Sequence, residues 1–211
     1  MEGAFVVSAF VTLFVVMDPI GLTPIFAVLT QGVGPAQRRM IALRACVVAA
    51  VLLTVFGTVG EQILGFVGIT MPAFRIAGGL LLFLTALDML FERRTRRRES
   101  RERETDPAED PSVFPLAMPL IAGPGAMASM ILLTGQAGPN LAGVAAVHLV
   151  MLAVLGMVFA LFLAAGLLER ALGRTGIMVI TRLLGMLLAA LSVQFILDGL
   201  RGAGLVAAAG G

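Results

Sequence analysis

Residues 4–30 read AFVVSAFVTLFVVMDPIGLTPIFAVLT, an apolar run whose one charged residue is Asp18. As a helix rising about 1.5 Å per residue it is more than long enough to cross a hydrocarbon core of about 30 Å. Inside the run lies DPIGLTPIF at 18–26. Pro19 and Pro24 each withhold a backbone donor, and Gly21 loosens the backbone between them. In lipid the freed carbonyls must be buried against protein or line a cavity. The stretch therefore reads as a membrane span broken partway along. Asp18 is placed to cap a half-helix beginning at Pro19 or Ile20. An ionisable residue at membrane depth is also a functional candidate by default. The two roles are compatible.

The rest of the chain agrees with a membrane setting. Of 211 residues 59% are hydrophobic and 13% charged, against roughly 45–50% and 25% in a soluble domain. A soluble fold of this length has too little interior for so much apolar side chain. There is no Trp or Tyr, so interface anchoring falls to Arg and to the 13 Phe. All basic residues are Arg, which reads as compositional bias. Without a basic face or aromatic stacking platforms no nucleic-acid partner is expected. Met1-Glu2-Gly3 lacks the basic opening of a signal peptide, so the first apolar segment is expected to be retained. Cys46 stands alone, which excludes an internal disulfide.

Six spans are expected, at 4–30, 40–60, 68–91, 113–135, 141–167 and 176–200. Residues 92–112, ERRTRRRESRERETDPAEDPS, form a polar linker with seven Arg and seven acidic residues. It is expected to be solvated. Arg93, Arg94, Arg96, Arg97 and Arg98 follow span three; Arg38 and Arg39 lie between spans one and two, and Arg170 and Arg174 between spans five and six. These loops share one side, which the excess of Arg predicts to be cytoplasmic. Both termini then face away from the cytoplasm. Gly156, Ala160 and Ala164 form a small-residue face in span five, expected to be a helix–helix contact.

The chain also resembles itself. Span three carries Arg75, Gly78 and Asp88, and span six Arg182, Gly185 and Asp198, the second Arg-to-Asp separation being three residues longer. PLIAGPGAM at 119–127 interrupts span four as DPIGLTPIF interrupts span one, and each break leads to an apolar run ending Leu-Thr (Leu29-Thr30, Leu133-Thr134). Three spans per half is an odd number, so the halves, 1–91 and 113–201 with a short tail 202–211, enter the membrane from opposite faces. Inverted repeats with interrupted helices at corresponding positions point to a transporter site. The pathway candidates are Asp18, Pro19, Gly21, Thr23, Pro24, Gly123, Pro124, Gly125 and Ser129, with Thr23 and Ser129 as hydroxyl ligands. Arg75, Asp88, His148, Arg182, Gln194 and Asp198 are secondary polar residues within the spans. Structural roles are expected for them: snorkelling for the arginines, packing for His148, and an interhelical hydrogen bond for Gln194.

Taken together, DPIGLTPIF (18–26), PLAMPLIAGPGAM (115–127), FRIAGGLLLFL (74–84) and LLAALSVQFILDG (187–199) resemble the MarC family of six-span bacterial inner-membrane proteins. The resemblance covers essentially the whole chain; only the Arg-rich linker looks individual. The family is similar to a wider group of small exporters that includes the LysE type. This implies an all-α, multi-pass protein of the cytoplasmic membrane and leaves the solute open.

The residues favour a secondary transporter or exporter of a small polar solute, with Asp18 available to carry a coupling proton. A channel, or a non-transporting membrane partner acting through the linker, is the alternative. Enzyme chemistry is not expected: there is one His, one Cys, no HExxH and no second carboxylate near Asp18. No cofactor or metal is expected. The partners are the bilayer, the solute and, permitted by the small-residue faces, a second copy.

Overall fold

The computed structural model describes residues 2–91, 111–138 and 140–206. Most of the polar linker, 92–110, and the tail from 207 lie outside the described residues. Among the described residues no strand occurs. The helices are α1 (Glu2–Met17), α2 (Pro19–Leu29), α3 (Pro35–Val67) and α4 (Met71–Leu90). After the linker comes an irregular, wide-pitched segment, Ser112–Ile121, and then α5 (Pro124–Ala137), α6 (Leu141–Leu163) and α7 (Ala165–Gly202). Among the described residues five apolar helices are long enough to cross a membrane: Gly3–Leu29, Pro35–Val67, Met71–Leu90, Leu141–Leu163 and Thr175–Gly202. A sixth span results if the pair Ser112–Ile121 and Pro124–Ala137, bent by 55°, is counted as one.

Several expected boundaries move. The second span runs well beyond 40–60 at both ends, because helical hydrogen bonding does not stop where the lipid does. The fifth stops at Leu163, short of 167. Ala164 caps it, donating to Ala160 O at 2.9 Å, and also begins α7. Within α7 the chain turns at Gly173, with φ 61° and ψ 176°, backbone that glycine adopts without a side-chain clash.

Most of these helices are apolar on every side, and on α3 residue size separates the two faces. On α3 the exposed stripe is Leu43, Val47, Val51, Val55, Val59 and Ile63, one residue per turn. Its inward face carries Ala42, Ala45, Ala49, Gly57 and Gly60. Lipid is as apolar as Leu, so close backbone approach, rather than hydrophobicity, selects the packed face. A Cβ on Gly57 would lie 2.9 Å from Met130 Cε. Farther down the same helix, Leu43 and Val47 border Ser112 and Val113. Residues 112–137 therefore run parallel to α3 and antiparallel to α1–α2.

The most extensive pairing joins α4 to α7. Contacts run antiparallel: Gly199 meets Pro72 and Ile76, Gly79 meets Ser192 and Ile196, and Gly185 meets Ala86 and Met89. The expected small-residue face of span five behaves otherwise. Gly156 and Ala160 are exposed, and nothing lies within 4 Å of a Cβ built on Gly156. At Gly156 that face meets no neighbouring helix, and α6 turns its larger residues Met151, Val154, Val158 and Phe162 inward instead. Phe162 stacks on Phe26 of α2, ring centroids 4.3 Å apart and 1° from parallel, and Arg38 lies 5.2 Å over the Phe26 ring.

Candidate functional site

The first break forms at one residue. Asp18 donates its own N–H to Phe14 O at 3.0 Å, completing α1. It then enters the left-handed region at φ 50° and ψ 62°, which Asp tolerates better than most residues. Pro19 has no N–H, so the Val15 carbonyl loses its helical partner. The Asp18 carboxylate accepts from Gly21 N at 3.1 Å, and the Asp18 carbonyl accepts from Leu22 N at 3.0 Å. Asp18 is thus the N-cap of α2 and is 1% exposed. Gly21 is required because a Cβ there would collide with that carboxylate. Thr23, fully buried, donates to Pro19 O at 2.8 Å. Pro24 sits inside α2 and frees the Ile20 carbonyl.

The second break is longer and made of backbone. Phe114 and Met118 each precede a proline and are extended, as the proline ring demands of its neighbour. Both following peptide bonds, Phe114–Pro115 and Met118–Pro119, are cis. The remaining hydrogen bonds reach five residues back, from Leu116 N to Pro111 O and from Ala122 N to Ala117 O. Gly123 is extended at φ −77° and ψ 171°, and Pro124 begins α5. A Cβ on Gly123 would sit 2.6 Å from Pro119 O. No side chain caps α5.

The fold brings the breaks together. A Cβ built on Gly125 would lie 3.5 Å from Val16 Cγ1, 3.3 Å from Leu82 Cδ2 and 3.6 Å from Thr85 Oγ1. Val16 is two residues before Asp18, so spans one, three and four converge there. Gly125 and Ser129 are buried, whereas Gly123 is half-buried and Pro124 is exposed. The α2 and α5 N-termini, each carrying about half a positive charge, both start at the breaks. Asp18 offsets the first of them.

The other polar residues separate from this centre. Gln194 does not bond across helices: its Nε2 donates to Asp198 Oδ1 at 2.9 Å, within α7. Asp198 also pairs with Arg201 at 3.4 Å on the surface. An i,i+4 partner on the same helix was simply nearer than any other span. Asp88 and Arg182 each have a partner. Arg75 is half-buried, with no hydrogen-bond partner for its buried Nε among the described residues. His148 Nδ1 donates to Val144 O at 2.8 Å, and Nε2 is packed where a Cβ on Gly57 would lie 3.0 Å away. Asn140 caps α6, accepting from Ala142 N at 3.1 Å. No group of three His, Cys, Asp or Glu suited to a metal occurs among the described residues. Thr12 and Thr85 were not foreseen. Neither carries a charge or sits in a motif.

Residues 3–204 match the model of the MarC family integral membrane proteins. The chain is 37% identical over 202 residues to a UPF0056 membrane protein of Aquifex aeolicus, covering 94% of each. It is 36% identical to the UPF0056 inner membrane protein YhgN of Escherichia coli K12, covering 93% of this chain and 96% of that one. It is likewise 36% identical to the UPF0056 membrane protein YvbG of Bacillus subtilis, covering 96% and 97%. No solved structure matches the chain.

Proposed function

The chain belongs to the MarC family of integral membrane proteins, and from that premise we propose that it is a secondary transporter or exporter of a small polar solute. The pathway crosses the junction of the two broken spans. The observation that carries this reading is the contact between Val16, just before the first break, and Gly125, just after the second. Two interrupted helices meeting inside a bundle place unpaired carbonyls and helix ends beside each other, the composition of a transporter site.

The packing supports an inverted repeat of 1–91 and 113–201. Span one packs on α6, and span four packs on α3; α2 packs on α7, and α5 on α4. Each of these pairings has its counterpart with the halves exchanged, whereas the α1–α7 and α5–α6 contacts have none of comparable extent. Along the α4–α7 seam Gly79 meets residues 192–196, while Gly185 meets 86–90. Thr30 and Thr134, the paired ends of the second half-helices, both donate four residues back, to Phe26 O at 2.7 Å and Met130 O at 2.8 Å. The membrane is the cytoplasmic one, named for the relative YhgN, with Arg-rich loops inside and both termini outside.

The test is labelling of single cysteines, Asp18→Cys and Gly125→Cys, in a Cys46→Ser background in intact cells. Access from both membrane faces, altered by candidate solutes, is the expected result. Protection of both positions from either face would reduce the breaks to packed kinks and remove this reading.

A further inference from the structure

Hydroxyls in membrane helices usually satisfy themselves by bonding a carbonyl three or four residues back. Here Thr23, Thr30, Thr58, Thr85, Thr134 and Ser192 all do so, at 2.7–2.9 Å. Thr12, Ser129 and Thr181 depart from the pattern, and of these Thr181, on α7, is only half-buried. Thr12 and Ser129 are 1% and 0% exposed, and neither Thr12 Oγ1 nor Ser129 Oγ has a hydrogen-bond partner among the described residues. Leaving a hydroxyl unpaired in a dry interior is unfavourable, so each oxygen marks a place where a polar group is missing.

The two belong to one seam. Thr12 and Val16 are four residues apart and share a face of α1; Gly125 and Ser129 share a face of α5 in the same way. Val16 meets Gly125, and the helices run antiparallel. One turn from that contact, toward the end of the bundle bearing the N-terminus, α1 presents Thr12 and α5 presents Ser129. Neither helix has a charged residue on this seam: the only one in either is Glu2, at the start of α1. At the break the carbonyl end of α1 opposes the amide ends of α2 and α5, with the Asp18 carboxylate capping α2.

We propose that Thr12 and Ser129 form a paired-hydroxyl seat for an uncharged hydrogen-bonding group, a hydroxyl or amide of the solute, filled by water when the solute is absent. Each side chain can donate and accept, and α1 and α5 themselves bring no charged side chain to the seat. This deepens the proposed pathway and rests on it, extending it one turn past the breaks.

The test uses the full chain in a Cys46→Ser background. Thr12→Cys and Ser129→Cys should react with the neutral reagent hydroxyethyl methanethiosulfonate roughly tenfold faster than Leu13→Cys, because thiol reactivity follows access. The anionic sulfonatoethyl analogue should leave them unmodified. Independently, Thr12→Val and Ser129→Ala should each melt at a lower temperature in detergent, because a satisfied hydroxyl is lost. An empty pocket predicts the opposite sign, since removing an unpaired hydroxyl stabilises. Inert cysteines, equal reaction with the anionic reagent, or unchanged or raised melting temperatures would each overturn the seat. Labelling at Gly125→Cys with silence at 12 and 129 removes the seat alone; silence at all three removes the pathway as well.

Discussion

In span one the helix is interrupted by a side chain, in span four by the backbone. Asp18 turns through the left-handed region, and its carboxylate caps the new helix at Gly21 N. Around Gly123 no side chain takes part: two extended residues before prolines, Phe114 and Met118, open the segment, and α5 starts uncapped behind Pro124. A break made by a carboxylate can change with protonation and with whatever displaces it. One made by ring and peptide sterics is fixed. The pair thus combines a chemically adjustable half with a rigid one, 3.5 Å apart at Val16 and a Cβ on Gly125.

The contrast breaks most sharply at Gly123. Gly123→Ala places a methyl 2.6 Å from the Pro119 carbonyl oxygen, and backbone cannot rotate aside as a side chain does. A loss of about 3 kcal/mol is expected, visible as a much lower yield of folded protein and an early melting transition. If Gly123→Ala melts like the parent, the second break is not rigid.

Next comes the cap. Asp18→Ala removes the acceptor and leaves a left-handed alanine, for a loss of about 1–2 kcal/mol. Asp18→Asn keeps an acceptor and tolerates the backbone, so it should melt within about 0.5 kcal/mol of the parent by the ranking of caps. Solute flux should nevertheless fall in Asp18→Asn if the charge is used. Equal melting of Ala and Asn would show that the first break does not depend on its side chain.

Gly21→Ala attacks the same cap from the other side. Its methyl must push the carboxylate away from Gly21 N, which predicts a loss of roughly 1 kcal/mol, near that of deleting the cap. Because both changes remove one hydrogen bond, Gly21→Ala and Asp18→Ala together should cost less than their sum. Additivity in a double-variant melting cycle would contradict this.

Smallest of all is Gly125→Ala, whose methyl finds Leu82 Cδ2, Val16 Cγ1 and Thr85 Oγ1 at 3.3–3.6 Å. Side-chain ends can yield by tenths of an ångström, so stability should change by less than about 1 kcal/mol. A large destabilisation would mean that the meeting point of the breaks is packed too tightly to pass a solute.

Much of this was legible from residue chemistry. DPIGLTPIF and PLIAGPGAM could be read as breaks because a missing N–H and a proline ring act on their own neighbours. The Asp18 cap was readable for the same reason. Gln194 was misjudged: Asp198 stands one turn on, and the sequence gives no reason to favour a distant helix over it. The small face at Gly156 and Ala160 misled because spacing shows that a helix can pack closely there, without saying whether a neighbour comes. Thr12 was invisible, since nothing local separates an unpartnered hydroxyl from the self-bonded ones.

By itself, then, the sequence determined that this is an all-helical membrane protein and where two of its spans break. Those properties follow from composition and from covalent constraints acting over a few residues. The tertiary structure decided that the breaks touch, that α4 and α7 pair through glycines contributed by both, and that Thr12 and Ser129 are left without partners. Helices apolar on every face carry no inward or outward label. In α4 and α7 their facing follows small residues that let two backbones come close, some separated by a hundred positions such as Gly79 and Ser192, whereas α6 turns its larger residues inward.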